Sequence, residues 1–293
     1  IFTHSLLTHF VLLKNGQKQY KVLNFQLCMK QELNPRPTDY NPNLLPLHHE
    51  CLFTITIVLQ SLFCKHHSTY IWLGKYRQPL IDQAISQKCD AIFVHHGFFG
   101  KQYIQITKSL KQRLQKLLIN DISLFAYHLP LDAHETLGHN AQLSQFAQLK
   151  IETPLECGFV CSNPNNLTSQ QITELLNDKL KVNFEIKLEV PSNLSIKSLS
   201  PSIVYNYTDV APKRIYICSG GSGSFLDKAI KANCDMFILG EVSEHLIHDA
   251  KENGLQIVQL GHWRSEQPGI WAIMKEVEKF GVQCVYQSIK NIV

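Results

Sequence analysis

One segment of this 293-residue chain occurs twice, and the repeat limits the folds that the sequence can adopt. Residues 80–94 align without gaps with residues 225–239, and each copy has apolar residues at helical spacing followed by a short apolar run. The identical positions are Asp82 and Asp227, Ala84 and Ala229, Ile85 and Ile230, Cys89 and Cys234, and Asp90 and Asp235. These identities favour an ancient duplication over a chance match. A helix followed by a buried strand, present twice, predicts an α/β protein.

From about residue 78 onward, helix-like segments alternate with strand-like segments, as parallel α/β architecture requires. Strands are predicted over 91–94, 122–127, 184–190, 214–218 and 256–260, and helices over 79–88, 108–119, 138–149, 168–180 and 225–232. Asn165 or Thr168 is expected to cap the helix that ends at Leu180. We divide the chain into an atypical N-terminal region (1–76) and two α/β halves (77–150 and 151–293).

Composition excludes several classes of protein. The 44% hydrophobic and 18% charged content is typical of a globular chain, and the net charge of +4 is too small and scattered to predict nucleic acid binding. Nine cysteines without a CxxC pair indicate reduced thiols in the cytosol. The apolar run 52–64 is too short for a bilayer span. We therefore expect a cytoplasmic protein that does not cross a membrane.

Potential metal ligands follow three of the predicted strands. His95 and His96 come directly after the strand 91–94, Asp132 follows the strand 122–127, and His262 and Glu266 follow the strand 256–260. The carboxyl ends of parallel strands line the crevice where α/β proteins bind ligands. Nitrogen and oxygen donors without thiolate suit Zn, Mn, Fe, Co or Ni and do not choose among them.

Each of these motifs also has a purely structural interpretation. The two histidines could cap or pack, and Asp132 could cap a helix or turn. His262 and Glu266 could lie in an exposed loop in which Glu266 pairs with Arg264. The combination favours a metal site over these separate explanations.

Two further residues are candidates for catalysis. His128 precedes Asp132 with the same His-x3-acid spacing that joins His262 to Glu266, and Glu241 aligns with His96 in the repeat. Either could transfer protons. Alternatively, His128 could orient a metal ligand, and Glu241 could be an acid at a helix N-terminus. His134 is a weaker candidate.

A glycine-rich loop, residues 219–224, follows the predicted strand 214–218. Backbone amides at the start of a helix can cradle a phosphate. The loop matches neither the dinucleotide fingerprint nor a P-loop. A tight strand-to-helix turn explains it equally well.

Several motifs together resemble the Nif-three-like family, whose members are also named GTP cyclohydrolase 1 type 2 homologues, in particular its short bacterial YbgI-type members. These motifs are His95-His96-Gly97, residues 129–134, 138–140 and 240–244, and the stretch from Gly261 to Ile270. The resemblance runs from about Arg77 to the C-terminus. It implies two interlinked α/β domains with a dinuclear metal site between them, and a toroidal homo-hexamer. The family's ligands fall on His95, His96, Asp132, His262 and Glu266.

Upstream of Arg77 the pattern departs from the family. Residues 39–43 resemble its early motif, but residues 44–76 lack the stretch expected next and are rich in apolar residues, cysteine and histidine. We interpret residues 44–77 as the product of a disrupted reading frame, with Met29 as the natural start. Peptides spanning residues 43–77, together with a continuous gene sequence, would contradict this hypothesis.

Two functions are compatible with these features. The first is a metal-dependent hydrolase of the GTP cyclohydrolase type, acting on a purine nucleotide with two divalent metal ions. The alternative is a non-catalytic metal-binding or metal-delivery protein, or a scaffold.

Overall fold

The computed structural model describes residues 9–14, 20–25, 70–74, 78–97, 106–180, 202–206, 208 and 210–286. The chain divides into two compact units, Ile1–Pro130 with Ile273–Val293, and Leu131–Ala272. Most of residues 44–77 and the predicted strand 184–190 lie outside the described residues. The predicted α/β halves, residues 77–150 and 151–293, have different bounds from these compact units, and the division into halves stays a prediction.

The first unit contains a four-stranded parallel sheet and a separate antiparallel strand pair. Its elements are β1 (His9–Lys14), β2 (Tyr20–Phe25), β3 (Tyr70–Gly74), α1 (Gln78–Ser86), β4 (Ala91–Val94), α2 (Lys108–Ile119), β5 (Ser123–Ala126) and β12 (Gln283–Tyr286). The strand order is β12-β3-β4-β5, and β1 pairs with β2. Two helices, α3 (Leu129–Asp132) and α9 (Pro268–Glu278), contain the boundaries between the units.

The core of the first unit forms because α1 and α2 each direct one apolar face toward β4 and β5. Leu80, Ile81 and Ala84 of α1 are fully buried, in a cluster that includes Ile92 and Val94 of β4. All four residues of β4 are buried, which explains its continuous apolar run. The ends of β4 and β5 therefore hold the residues that follow them on a rigid frame.

The second unit contains a six-stranded mixed sheet. Its elements are α4 (His139–Phe146), β6 (Lys150–Leu155), β7 (Gly158–Ser162), α5 (Ser169–Leu180), β8 (Ile203–Tyr205), β9 (Arg214–Cys218), α6 (Leu226–Lys231), β10 (Met236–Leu239), α7 (Glu244–Glu252), β11 (Gln256–Gln259) and α8 (His262–Ser265). The strand order is β6-β7-β9-β10-β11-β8, in which β9, β10 and β11 run parallel and the other pairings are antiparallel.

Alternate residues of the central strands supply two apolar clusters in this unit. Ile215 and Ile217 of β9 belong to one cluster, whereas Tyr216 and Cys218 belong to the other. This alternation follows from the two-residue period of a strand that is covered on both faces. The parallel strands are thus buried except for exposed Arg214 at the start of β9 and partly buried Gln259 at the end of β11.

The sequence predicts the parallel elements better than the antiparallel ones. The strands 91–94 and 214–218 and the helix 108–119 have the predicted bounds. Thr168, and not Asn165, caps α5. The Gln171 amide donates to Thr168 Oγ1 at 3.3 Å, and the Thr168 amide donates to Gln171 Oε1 at 2.9 Å. The hairpin of β6 and β7 was not predicted, because β6 is largely exposed and lacks a buried run. The mixed α/β class is confirmed.

Among the described residues, no helix is both long and apolar enough to cross a membrane.

Candidate metal centre

Three imidazoles cluster at the ends of β4 and β5 in the first unit. His95 and His96 follow β4, and His128 follows β5 by two residues. The ring centroids of His95 and His96 lie 4.6 Å apart. The ring centroid of His128 lies 5.0 Å from that of His95 and 4.7 Å from that of His96. One ring nitrogen of each lies within 4.8 Å of the others. The neighbouring strand ends therefore bring together two predicted ligands and one predicted catalytic residue.

The orientation of His95 is fixed by the backbone of the neighbouring strand. Its Nδ1 lies 2.8 Å from the carbonyl oxygen of Tyr127. Because a carbonyl only accepts hydrogen bonds, Nδ1 carries the proton and Nε2 presents its lone pair. His95 is buried, with 5% of its surface exposed, so few other rotamers are accessible. Hydrogen bonding of this kind is typical of histidines that bind metal.

Gly97 allows the chain to leave the sheet after the two histidines. A Cβ atom at this position would lie only 2.7 Å from the Cβ of Ala126 on β5. Close packing against β5 is therefore the physical reason for a glycine at this position.

Asp132 is buried in the second unit and held by a polar network. Its Oδ1 accepts a 2.9 Å hydrogen bond from Ser219 Oγ. The Asn140 side chain donates to the carbonyl oxygens of Asp132 and Cys157 at 3.1 and 2.7 Å, and its Oδ1 accepts from the Ser219 backbone amide at 2.7 Å. These contacts fix both the backbone and the carboxylate of Asp132. Sequence reasoning missed Asn140 and Ser219 as supports, although both lie in motifs that it singled out.

His262 lies between two carboxylates in the second unit. Its Nε2 is 3.0 Å from Glu266 Oε1, and its Nδ1 is 3.0 Å from Glu241 Oε1. The hydrogen bond to Glu266 and, to a lesser extent, the contact with Glu241 raise the pKa of His262 to about 9 in the metal-free protein. Glu266 is buried, whereas the side chain of Glu241 is 58% exposed. The predicted pair His262 and Glu266 is thus brought into contact, together with Glu241.

The glycine-rich loop 219–224 makes room for this cluster. Gly220 has φ +66°, and a Cβ atom there would lie 2.4 Å from Glu266 Oε1. A Cβ at Gly221 would lie 3.2 Å from Glu241 Oε1. The loop therefore packs against two carboxylates, and these would repel a phosphate. The contacts favour the turn interpretation of this loop over a phosphate cradle.

The hydrogen bonds of Arg264 go to other residues than Glu266, with which the alternative interpretation paired it. Its guanidinium donates to Leu260 O at 3.0 Å, Ser202 Oγ at 3.2 Å and Asn177 Oδ1 at 3.3 Å. Burial lowers the pKa of Arg264 to about 10. Glu266 is not in an exposed loop, so this structural interpretation of the motif is wrong.

Two other buried histidines serve different local roles. His134 Nδ1 accepts hydrogen bonds from the amides of Thr136 and Leu137 at 3.2 and 3.1 Å, which is the arrangement of a turn support. His139 Nδ1 accepts from the Gly269 amide at 3.0 Å, so its proton is on Nε2. A ring nitrogen of His139 lies within 4.8 Å of a carboxylate oxygen of Asp132. His139 is a candidate support for Asp132 that the sequence did not identify.

The donor set of these clusters fits divalent transition metals. Imidazole nitrogens and carboxylate oxygens are their common ligands, and the hydrogen bonds to His95 and Asp132 are of the kind that orient such ligands. The fold and these clusters define the class: a mixed α/β protein with imidazole and carboxylate groups at the ends of its parallel strands.

Comparison with known proteins gives the family. The model of the Duf34/NIF3 (NGG1p interacting factor 3) family matches residues 75–291, which is most of the chain. The chain belongs to this family, as its motifs predicted.

Similar proteins include several bacterial relatives named GTP cyclohydrolase 1 type 2 homolog. The Haemophilus influenzae relative is 38% identical over 216 residues, which cover 73% of this chain and 81% of the relative. The Pasteurella multocida relative is 39% identical over the same length and coverage, and the Escherichia coli relative is 35% identical over 202 residues, covering 67% of this chain and 73% of the relative.

Solved structures agree on the fold. The protein ybgI, described as of unknown function, matches with a TM-score of 0.67 and 27% identity, covering 84% of this chain and 99% of that one. TTHA1606 from Thermus thermophilus matches with a TM-score of 0.64 and 22% identity over the same shares.

Proposed function

We propose that this protein binds two divalent transition-metal ions through His95, His96, Asp132, His262 and Glu266, and that it catalyses a metal-dependent hydrolysis. The observation that carries the proposal is the contact between His262 Nε2 and buried Glu266, which packs so closely against Gly220 that a Cβ atom there would lie 2.4 Å from Glu266 Oε1. A buried carboxylate is costly unless it is paired or binds a cation.

The two units show similar elements around these residues, which supports the proposed duplication. The aligned segments contain α1 and β4 in the first unit and α6 and β10 in the second. In each unit a further parallel strand, β5 or β11, precedes a His-x3-acid sequence. Two interlinked domains of common origin remain part of the proposal.

The chain's own residues would orient the ligands before any ion binds. The Tyr127 carbonyl keeps the proton of His95 on Nδ1, and Ser219 holds one carboxylate oxygen of Asp132. Glu241 faces Nδ1 of His262, which would leave Nε2 for coordination once Glu266 has also turned to the ion. Such preorganisation reduces the entropy that metal binding has to overcome.

The substrate that we propose is a purine nucleotide such as GTP. The support is the shared name of several relatives with at least 35% identity. Bound divalent ions would supply Lewis-acid polarisation of the substrate and an activated water at neutral pH. Glu241, exposed and in contact with His262, is the proton carrier that we favour, and His128 is the other predicted candidate.

Elemental analysis of purified protein tests the metal site. We expect about two transition-metal ions per chain in the wild type and a loss of metal in the double variant Asp132→Ala, Glu266→Ala. The matched control is Asp227→Ala, Glu252→Ala, which removes two exposed carboxylates from α6 and α7 and should leave the metal content unchanged. Metal retained in the first double variant would contradict the site.

A second function, non-catalytic metal binding or delivery, is favoured by the exposed side of the clusters. Glu241 and His128 are both exposed, so ions could exchange with solvent or a partner. The two functions are separated by measuring GTP turnover by protein loaded with Zn, Mn, Fe, Co or Ni in turn. Turnover that is lost in the Asp132→Ala, Glu266→Ala variant supports the hydrolase, whereas metal binding without turnover supports delivery.

A further inference from the structure

Arg264 carries a positive charge that the proposed function does not use. It lies on α8, two residues after the proposed ligand His262, and its side chain is partly buried. None of the ion pairs among the described residues includes Arg264, and its three hydrogen bonds go to uncharged oxygens. Burial of a guanidinium without an anionic partner is costly, because it removes part of the hydration of the charge. Arg264 is therefore a candidate for binding an anion.

The three hydrogen bonds hold the guanidinium in one orientation. Ser202 Oγ donates to Asn177 Oδ1 at 2.6 Å, so these two oxygens lie side by side. Ser202 Oγ accepts from Nη1 and Asn177 Oδ1 accepts from Nη2, which together form the terminal edge of the guanidinium. Nη1 also donates to the carbonyl oxygen of Leu260 at 3.0 Å. The acceptors belong to α5, the residue before β8 and the residue after β11, so three elements fix the plane of the group.

Two donors of Arg264 remain, and they form the side edge of the guanidinium. They are Nε–H and the second N–H of Nη2. These two groups point the same way in one plane, at the spacing of two oxygens of a carboxylate or a phosphate. No described residue accepts a hydrogen bond from them. The side chain is partly exposed, so an oxyanion can reach this side edge from solvent.

The place of this side edge in the fold favours a group of the substrate. Arg264 follows β11, so it lies at the same carboxyl end of the parallel strands as His262. Residues two apart in a helix have Cα atoms about 5.4 Å apart but point to nearly opposite sides. Arg264 is thus turned away from the two carboxylates that contact His262, whereas the glycine-rich loop 219–224 packs against them. An extended ligand such as a nucleotide would be needed to contact both sides of α8.

We propose that Arg264 binds a phosphate group of the substrate through its Nε–H and Nη2–H donors. The inference rests on the proposed function, because the proposed purine nucleotide supplies that phosphate, and inorganic phosphate is the other source of the same group. A phosphate held here lies across α8 from His262, so the contact stabilises the bound substrate and the transition state equally. Arg264 therefore determines specificity for nucleotides over nucleosides and affects KM more than kcat.

The test compares the binding of GTP, guanosine and inorganic pyrophosphate to full-length, metal-loaded protein by calorimetric titration. We expect Arg264→Met to weaken GTP and pyrophosphate at least about tenfold, because a charge-assisted bidentate contact is lost, and to leave guanosine unchanged. Arg264→Lys keeps the charge but not the paired donors, so it should recover only part of the affinity. The matched control, Arg214→Met, removes an exposed arginine at the start of β9 and should change none of the three affinities.

Each outcome supports or overturns the phosphate site. Unchanged GTP and pyrophosphate affinities in Arg264→Met would overturn it. An equal loss for guanosine would also overturn it, because Arg264 would then only hold α5 and α8 together. Binding of pyrophosphate but not of GTP, lost in Arg264→Met, would support the phosphate site and overturn the nucleotide as its source.

Two further measurements separate this inference from the proposed metal site and from folding. Elemental analysis and far-UV circular dichroism check that each variant keeps its metal and its fold. A wild type that holds its metal but binds none of the three probes would overturn the phosphate site and leave the metal site standing. In the wild type, the ¹⁵N NMR signal of Arg264 Nε–H should shift when pyrophosphate is added, and an unmoved signal would overturn the site even if the variants failed to fold.

Discussion

At the scale of single residues, hydrogen bonds with uncharged groups orient some candidate ligands, and contacts with carboxylates orient His262. Tyr127 fixes His95 through a backbone carbonyl, and Ser219 fixes Asp132 through a hydroxyl. Such supports leave no strong sequence signature, because any residue offers a carbonyl and serines are common. The ligand types could be anticipated from the sequence, and their supports could not.

Ser219 offers a direct test of this support. Ser219→Ala removes the donor to Asp132 Oδ1, so we expect the affinity for a divalent metal to fall about tenfold. The reason is that the carboxylate gains rotational freedom and loses a buried hydrogen bond. Competition with a chromophoric chelator measures the affinity.

The matched control is Ser224→Ala, in the same loop but exposed. It should bind metal like the wild type. Equal affinities for both serine variants would show that the Ser219 hydroxyl does not support the site.

The pKa of His262 predicts how pH affects metal binding. The carboxylates of Glu266 and Glu241 raise this pKa to about 9 in the metal-free protein, so a proton occupies the imidazole at pH 7. Metal binding must displace that proton, and the apparent affinity should therefore rise about tenfold per pH unit from pH 7 toward 9 and then level off.

An NMR titration of the metal-free protein measures the midpoint for His262. In Glu241→Gln the midpoint should move to lower pH, because one carboxylate is lost, and the affinity should level off earlier. A wild-type midpoint near 6.5, the value of an unperturbed histidine, would contradict this account.

At the scale of elements, three loops at the ends of β9, β10 and β11 pack against one another. The Gly220 amide donates to Ser265 Oγ at 2.9 Å, and a Cβ at Gly240 would lie 2.4 Å from Gly220 O. The Gly261 amide donates to Gly240 O at 2.8 Å. The glycine-rich sequence correctly indicated a strand-to-helix turn. The glycines also let this loop approach Glu266 closely. The sequence did not indicate that contact, because Glu266 lies in the loop after β11, about 40 residues later in the chain.

Gly220→Ala tests this close approach. The substitution adds the strain of a left-handed backbone, about 1–2 kcal/mol, and a clash with Glu266 Oε1. Gly254 provides a matched control, since its φ of +67° is almost the same and a Cβ atom added there would meet no other atom within 4 Å. We expect Gly220→Ala to lower the free energy of unfolding more than Gly254→Ala does, and to weaken metal binding, which Gly254→Ala should not affect.

Denaturant unfolding of the two variants in chelator gives the free energies, and elemental analysis gives the metal content. Equal destabilisation of both variants would mean that only backbone strain matters at Gly220.

At the scale of the whole molecule, the homo-hexamer that the resemblance implies stays a prediction. Light scattering after size-exclusion chromatography should give a mass six times that of one chain. A monomeric or dimeric mass for folded, metal-loaded protein would contradict the hexamer. The metal-site proposals would be unaffected, because all their residues come from one chain.

Local patterns along the chain were enough to predict the mixed α/β class, its buried strands and the residue types at their ends, and the motifs there resemble those of the family. They were enough because buried parallel strands are continuous apolar runs and because the candidate metal ligands follow them directly. The folded structure was needed to find the neighbours that hold His95, Asp132 and His262. It also showed that Arg264 binds Asn177 and Ser202 instead of Glu266. A hairpin that was not predicted completes the larger sheet. The physical reason is that hydrogen-bond partners and close approaches join residues far apart in the chain, and local patterns of polarity carry no information about such distant pairs.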